Sequence, residues 1–306
     1  MNQSLFSSPA KNLILIDSNA ILHRAYHALP PLSSQGQLTN ALYGFSAVLI
    51  RILKEFHPQY LAACFDLPQP TFRHLAYKEY KAKRIKPPQE FYDQIPLAKE
   101  ILSAFKIPII EKPGYEADDL IGTLAVKATR ESPDIEVIII TGDLDTLQLV
   151  GPRIKVWTLK KGIKEVSLMD VSAVKERYGF EPHLLADFKG LKGDPSDNIL
   201  GVPSIGEKTA ISLIKEFGPL ENLYASLESE NQDKIKIPAR LKEILIQNKD
   251  QAFFSKNLAL INTNVELDCS LKDLKFEMPS PEQIKPVFEK FSFKSLYQRY
   301  VNNWSA

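Results

Sequence analysis

Acidic residues carry the clearest chemical signal in this chain. Glu116, Asp118 and Asp119 open an apolar helical pattern, and Glu116 and Asp119, three residues apart, share one face of it. A helix amino terminus favours acids, but three carboxylates so close repel one another. A second group, Asp143 and Asp145, follows Val137-Ile138-Ile139-Ile140-Thr141-Gly142, a β-branched run that reads as a buried parallel strand. Open α/β sheets collect ligands at the carboxyl ends of such strands. Oxygen ligands with no Cys or His beside them suit a hard ion, Mg²⁺ or Mn²⁺. Taken singly, each group is equally well read as a helix cap or a solvated turn. Together they point to a shared cation.

The elements that must position these acids repeat a theme. Residues 13–17 read as a buried strand ending in Asp17, with a helix following to about residue 27. Residues 42–56 have helical spacing, and residues 60–65 form another strand ending in an acid, Asp66. Strand, acid, helix thus recurs at Asp17, Asp66 and Asp143, and in a parallel sheet those ends lie on one edge. The predicted fold class is α/β. Near 178–182, periodic helices with loop signals replace the strands, and a last amphipathic helix is expected over 282–300.

Between the acids lies a basic stretch, residues 71–88, with six Lys or Arg against one Glu. Arg73, Lys81 and Arg84 alternate there with Phe72, Tyr77 and Tyr80, a mixture that suits single-stranded nucleic acid, each base stack being worth roughly 1–3 kcal/mol. A solvated basic helix ending at Pro87 is the plainer reading of the same residues. Further on, Gly206-Glu207-Lys208-Thr209 resists a P-loop reading, since Glu207 separates Gly206 from Lys208 and no apolar strand precedes it. It remains a tight turn opening a helix, able to hold a phosphate and so to grip a duplex without reading its sequence.

At 306 residues and a net charge of +1, the chain has room for one large domain or two ordinary ones. Near-neutral charge would argue against nucleic acid, but acids gathered round metal ions mask basic residues elsewhere. Cys64 and Cys269 form no redox or metal motif, and neither a secretory h-region nor a transmembrane run is visible. A cytoplasmic monomer with no membrane partner is expected.

The ordered set Leu15-Ile16-Asp17, Phe65-Asp66, Phe72-Arg73-His74, Tyr80-Lys81-Ala82-Lys83-Arg84, Pro113-Gly114-Tyr115-Glu116-Ala117-Asp118-Asp119, Thr141-Gly142-Asp143, Gly193-Asp194-Pro195-Ser196-Asp197-Asn198 and Gly206-Glu207-Lys208-Thr209-Ala210 resembles the bacterial 5′–3′ exonuclease family, which comprises the amino-terminal nuclease domain of DNA polymerase I and related flap endonucleases. The resemblance implies a PIN-like catalytic domain with a helical arch over residues 12–178 and a helix-hairpin-helix DNA-binding domain over 179–268. Residues 269–306 would be a tail leading to the rest of a polymerase chain. It also implies structure-selective hydrolysis of DNA at 5′ ends and 5′ flaps, in replication and repair, with two Mg²⁺ or Mn²⁺ ions. Asp17, Asp66 and Asp118 would hold the first ion with Glu116 nearby. Asp119, Asp143, Asp145, Asp194 and Asp197 would serve the second. Lys81 and Arg84 in the arch would steady the scissile phosphate, Tyr80 would stack on the displaced base, and Arg24, Arg73 and Tyr77 would contact DNA. Gly206, Lys208 and Thr209 would hold duplex phosphates, with K⁺ as a companion ion. Leu144, where the family commonly has Lys, and Ser204, where it commonly has Gly, depart from the pattern. A non-catalytic branched-DNA-binding module and a PIN-type RNase are the competing expectations.

Overall fold

The structure, a computed structural model, describes residues 11–160, 162–229 and 237–304. In chain order, β1 (Lys11–Asp17) leads to α1 (Ser18–Ala28), a small hairpin of β2 (Ser33–Ser34) and β3 (Gln37–Leu38), then α2 (Asn40–Phe56) and β4 (Tyr60–Cys64). Two short helices, α3 (Phe72–Ala76) and α4 (Gln89–Tyr92), precede α5 (Gln94–Ala104), β5 (Ile109–Ile110), α6 (Ala117–Glu131) and β6 (Ile135–Thr141). After β7 (Ile154–Leu159), β8 (Val166–Met169) and α7 (Val171–Tyr178), the chain is mainly helical. It runs through α8 (Leu185–Lys192), the ribbon β9 (Gly193–Asp194) and β10 (Ile199–Leu200), α9 (Glu207–Phe217), α10 (Leu220–Leu227), α11 (Ala239–Gln247) and α12 (Lys249–Ala259), and ends with α13 (Pro281–Lys290) and α14 (Lys294–Trp304).

The six-stranded sheet has the order β5-β4-β1-β6-β7-β8 and is parallel except for β8. Alternation along β1 explains the layering: Leu13 and Leu15 pack on the α6 side, whereas Ile14 and Ile16 pack against α2 and α5. Both faces are covered, which is why this strand reads as an unbroken apolar run. The short β5 and the antiparallel β8 carry too little pattern to be read from sequence. No helix among the described residues is long and apolar enough to cross a membrane.

Two segments depart from expectation. Residues 77–88 do not continue α3 as a helical arch; 78–83 form turns and 85–88 are irregular. Their backbone groups bond across to another loop instead, Lys81 N donating to Asp197 O at 2.8 Å and Asn198 Nδ2 to Glu79 O at 2.7 Å. The single helix expected over 282–300 is two, separated by a turn in which Ser292 takes a positive φ of 59°. Phe288, Phe291, Phe293, Leu296 and Tyr300 from this region share the apolar layer of α2 and α5, and Tyr300 Oη donates to Pro279 O at 2.6 Å.

Candidate active site

The sheet edge collects the acids as its parallel topology requires. Register places Ile16 beside Ile140, so Asp17 at the end of β1 meets Thr141 at the end of β6, whose hydroxyl donates to Asp17 Oδ2 at 2.6 Å. The other oxygen, Oδ1, caps α1 through Ala20 N at 3.0 Å. Asp66, just beyond β4, accepts from Ala117 N at 2.7 Å and so ties that strand to the amino terminus of α6. Asp143 Oδ1 accepts from Asp145 N at 3.0 Å. Cap and turn roles are therefore real here, but they do not exhaust these carboxylates. Asp17, Asp66, Glu116, Asp118, Asp143 and Asp145 all line one cleft of about 1500 Å³.

Their proximity is visible in their acidities. Burial, opposed by the Thr141 bond and reinforced by Asp66 and Asp143, pushes Asp17 up to about 7. Burial and then Asp143 raise Asp145 to about 7 despite Lys189. Asp66 is raised too, chiefly by desolvation from the atoms around the cleft, although the residue itself is exposed there. Asp118 is pushed well up by burial and then by Asp17, Asp143, Asp145 and Asp66, and it receives no hydrogen bond among the described residues. Oxygen donors from several elements converging on it fit hard divalent ions.

A second focus lies where the ribbon meets this edge. One carboxylate oxygen from each of Asp145, Asp194 and Asp197 falls within 4.8 Å of the others. Gly193 makes the turn possible: its φ is +78°, and a Cβ there would meet Gly201 N at 2.5 Å. The Lys189 ammonium bridges Asp145 and Asp194, the latter at 2.5 Å, and with Ser196 it outweighs burial to hold Asp194 below the usual carboxylate range. Lys189 thus serves as the resident cation of this focus. Sequence reasoning missed it, although it stands only five residues before Asp194, on the helix that leads into the ribbon.

Several predicted roles need correction. Asp119 is fully buried and is no free ligand: Arg73 grips both its oxygens at 2.8 Å, and Asn262 N and Glu116 N donate to it at 2.8 and 3.1 Å. Glu116 and Asp119 form a capping box on α6, so the plainer reading of that pair holds for Asp119. Arg73, buried and also bonded to Leu258 O and Leu260 O at 2.9 and 2.7 Å, has no surface left for DNA. Tyr80 cannot stack on a base, because it is 3% exposed with its hydroxyl donating to Glu116 and Asp197, both at 3.1 Å. Its ring packs with Ile199, Leu258 and Ala259, while half-buried Tyr77 sets its edge on Phe254 at 5.7 Å. The aromatic interleaving of this stretch is an internal seam.

The cations are already engaged. Lys81 Nζ donates to Glu116 Oε1 at 2.8 Å, and Arg84 donates to Asp197 Oδ1 at 2.5 Å. Burial alone would raise Glu116, but Lys81 and Arg73 outweigh it and hold the group below its ordinary value. Both cations line the cleft. Arg24 lines it too, anchored to Lys160 O and Gly142 O at 2.8 and 3.2 Å; a Cβ on Gly142 would lie 2.9 Å from its Nε. Gly206 caps α9, with Lys208 exposed and Thr209 half-buried in its first turn. None of these three lines the acidic cleft.

Comparison with known proteins agrees with this architecture. DNA polymerase I of Bacillus caldotenax is 42% identical over 290 residues, covering 94% of this chain and 32% of the polymerase. That of Bacillus subtilis is 41% identical with the same coverage, so the chain spans about a third of the length of these curated relatives. Among solved structures, the T5 5′-exonuclease with bound zinc superposes with a TM-score of 0.67 at 18% identity, over 95% of this chain and all of that one. The catalytic core of Rad2 in complex with DNA substrate gives 0.62 at 18% identity, over 96% and 91%. Residues 12–179 match the 5′–3′ exonuclease amino-terminal resolvase-like domain and residues 180–282 its carboxyl-terminal SAM fold; the chain belongs to the 5′–3′ exonuclease family.

Proposed function

We propose that this chain hydrolyses DNA phosphodiesters at 5′ ends and 5′ flaps, using two divalent ions held by the carboxylates of the sheet edge. The observation that carries the reading is Asp118, a half-buried carboxylate on the cleft wall that receives no hydrogen bond among the described residues, with Asp17, Asp66, Asp143 and Asp145 lining the same cleft. Asp17, Asp66 and Asp118, with Glu116 beside them, would hold one ion; Asp145, Asp194 and Asp197, with Asp143, would hold the other. When bound, such ions lower the pKa of an attacking water and offset charge on the phosphate oxygens.

The side chains of the chain itself have distinct tasks. Thr141 and Ala20 N fix the Asp17 carboxylate, and Ala117 N fixes that of Asp66, so little reorganisation remains when a phosphate arrives. Lys81 and Arg84 sit on the cleft wall, where they can exchange Glu116 and Asp197 for phosphate oxygens. Gly206 and Lys208 at the start of α9 would steady the duplex away from the reacting bond, with K⁺ as a companion ion. Relatives solved with DNA and metal ions, such as the bacteriophage T5 flap endonuclease, support this choice of substrate. An end-labelled 5′-flap duplex incubated with and without Mg²⁺ tests it, beside a matched RNA flap. Mg²⁺-dependent release of the DNA flap is expected; salt-sensitive binding without cleavage would leave only a DNA-holding module, and preferential RNA cleavage would leave an RNase.

A further inference from the structure

On α1, facing the same cleft but displaced from the acids, His23 and His27 stand four residues apart. Both are exposed, and their Nε2 atoms approach to 3.3 Å with ring planes inclined at 60°. Neither ring has another hydrogen-bond partner among the described residues. Among the described residues their ring contacts outside the pair are Phe91 against His23 and Tyr26 against His27, both edge-on.

The spacing fits a chelate. Imidazole nitrogens bind Zn²⁺ at about 2.0–2.1 Å, and at a tetrahedral angle two of them lie roughly 3.3–3.4 Å apart. Histidines at i and i+4 of a helix meet that requirement whenever both side chains lean to the same side. We propose that His23 and His27 form a cation site of their own on the cleft wall, taking a borderline transition ion such as Zn²⁺ through their Nε2 atoms. Nitrogen donors distinguish this site from the carboxylate centre, which prefers hard ions.

The surroundings permit it. Desolvation on the side packed against Phe91, then His27, Arg84 and Arg24, lower the pKa of His23, which favours its neutral, ligating form although the ring is otherwise exposed. The charge of Arg84 is offset by Asp197, whereas Arg24, held by the carbonyls of Gly142 and Lys160, keeps its own, so the pair should bind a cation less tightly than it would in isolation. The remaining coordination positions would be filled by water.

The test is Zn²⁺ binding to the whole chain in excess Mg²⁺, followed by calorimetry, with Cu²⁺ electron paramagnetic resonance as an independent readout. A Zn²⁺ binding event distinct from any at the carboxylates is expected, weakened at least about tenfold by His23→Gln and by His27→Gln and retained in Asp118→Asn. Cu²⁺ should report two nitrogen ligands in the parent chain and one in either His variant. Zn²⁺ isotherms unchanged by the His substitutions, absence of Zn²⁺ binding to the parent chain, or binding lost only in Asp118→Asn would overturn the proposal. None of these readouts depends on nuclease activity, so the proposed function and this site can fail separately.

Discussion

Asp118 and Asp119 are neighbours in sequence with opposite physical situations, and exchanging each for Asn should separate them. Asp119 receives four hydrogen bonds, two from the Arg73 guanidinium and two from backbone amides, with no exposed surface. Asp119→Asn would set an amide donor against donors and leave Arg73 charged in the interior with only Glu116, at 3.3 Å, as an ionic partner. Breaking a buried pair in this way costs about 3–5 kcal/mol. At roughly 2–4 °C per kcal/mol, the thermal midpoint should fall by roughly 6–20 °C. Asp118→Asn instead removes one charge from a repelling group, so the metal-free midpoint should hold or rise while stabilisation by Mg²⁺ is lost. Thermal unfolding of both variants by circular dichroism, with Mg²⁺ and with chelator, measures the contrast. A parental midpoint with a lost Mg²⁺ response in Asp119→Asn, or a destabilisation of Asp118→Asn equal to that of Asp119→Asn, would show that the two roles are not divided in this way.

Other consequences are accessible to simple assays. Raising the Asp17 carboxyl from 3.8 to about 7 corresponds to roughly 4 kcal/mol of cost at neutral pH, an order-of-magnitude figure shared with its neighbours. Because the folded value lies above the unfolded one, this cost is absent below about pH 4 and accumulates as pH rises towards 7; Glu116 and Asp194, held low, act oppositely and only on acidification. Metal-free protein should therefore melt higher near pH 5.5 than near pH 8, and Mg²⁺ should raise the midpoint most at pH 8; a midpoint rising with pH in chelator would contradict this. Lys81→Ala should slow single-turnover cleavage by roughly 10²-fold with a smaller change in DNA affinity, and an unchanged rate would remove Lys81 from the phosphate site. Ser204 holds a φ of 65°, so Ser204→Gly should stabilise the chain by up to about 1 kcal/mol in urea unfolding.

What could be read in advance follows from the range of the interactions. Asp17, Asp66 and Asp143 were legible because a buried parallel strand announces itself locally and its carboxyl end has a fixed side. Asp119 was not, since a ligand and a capping residue look alike at that position, and its deciding partner, Arg73, lies 46 residues earlier. Tyr80 looked like a stacking platform because its apolar neighbours Leu258 and Ala259 belong to α12, far along the chain. Residues 77–88 carried a helical composition that lost to bonds with the 195–198 loop, a contest invisible in either segment alone. Lys189 and the His23–His27 pair were missed for another reason: their spacing carries meaning only once their helices are set against the cleft.

If convergent carboxylates supply the chemistry, removing the one that other acids crowd must stop cleavage without loosening the grip on DNA. Cleavage of a labelled 5′-flap duplex in Mg²⁺ should be abolished by Asp118→Asn while DNA binding, measured in parallel by fluorescence anisotropy, stays within a few-fold of the parent chain. Cleavage by Asp118→Asn at the parental rate would contradict the account.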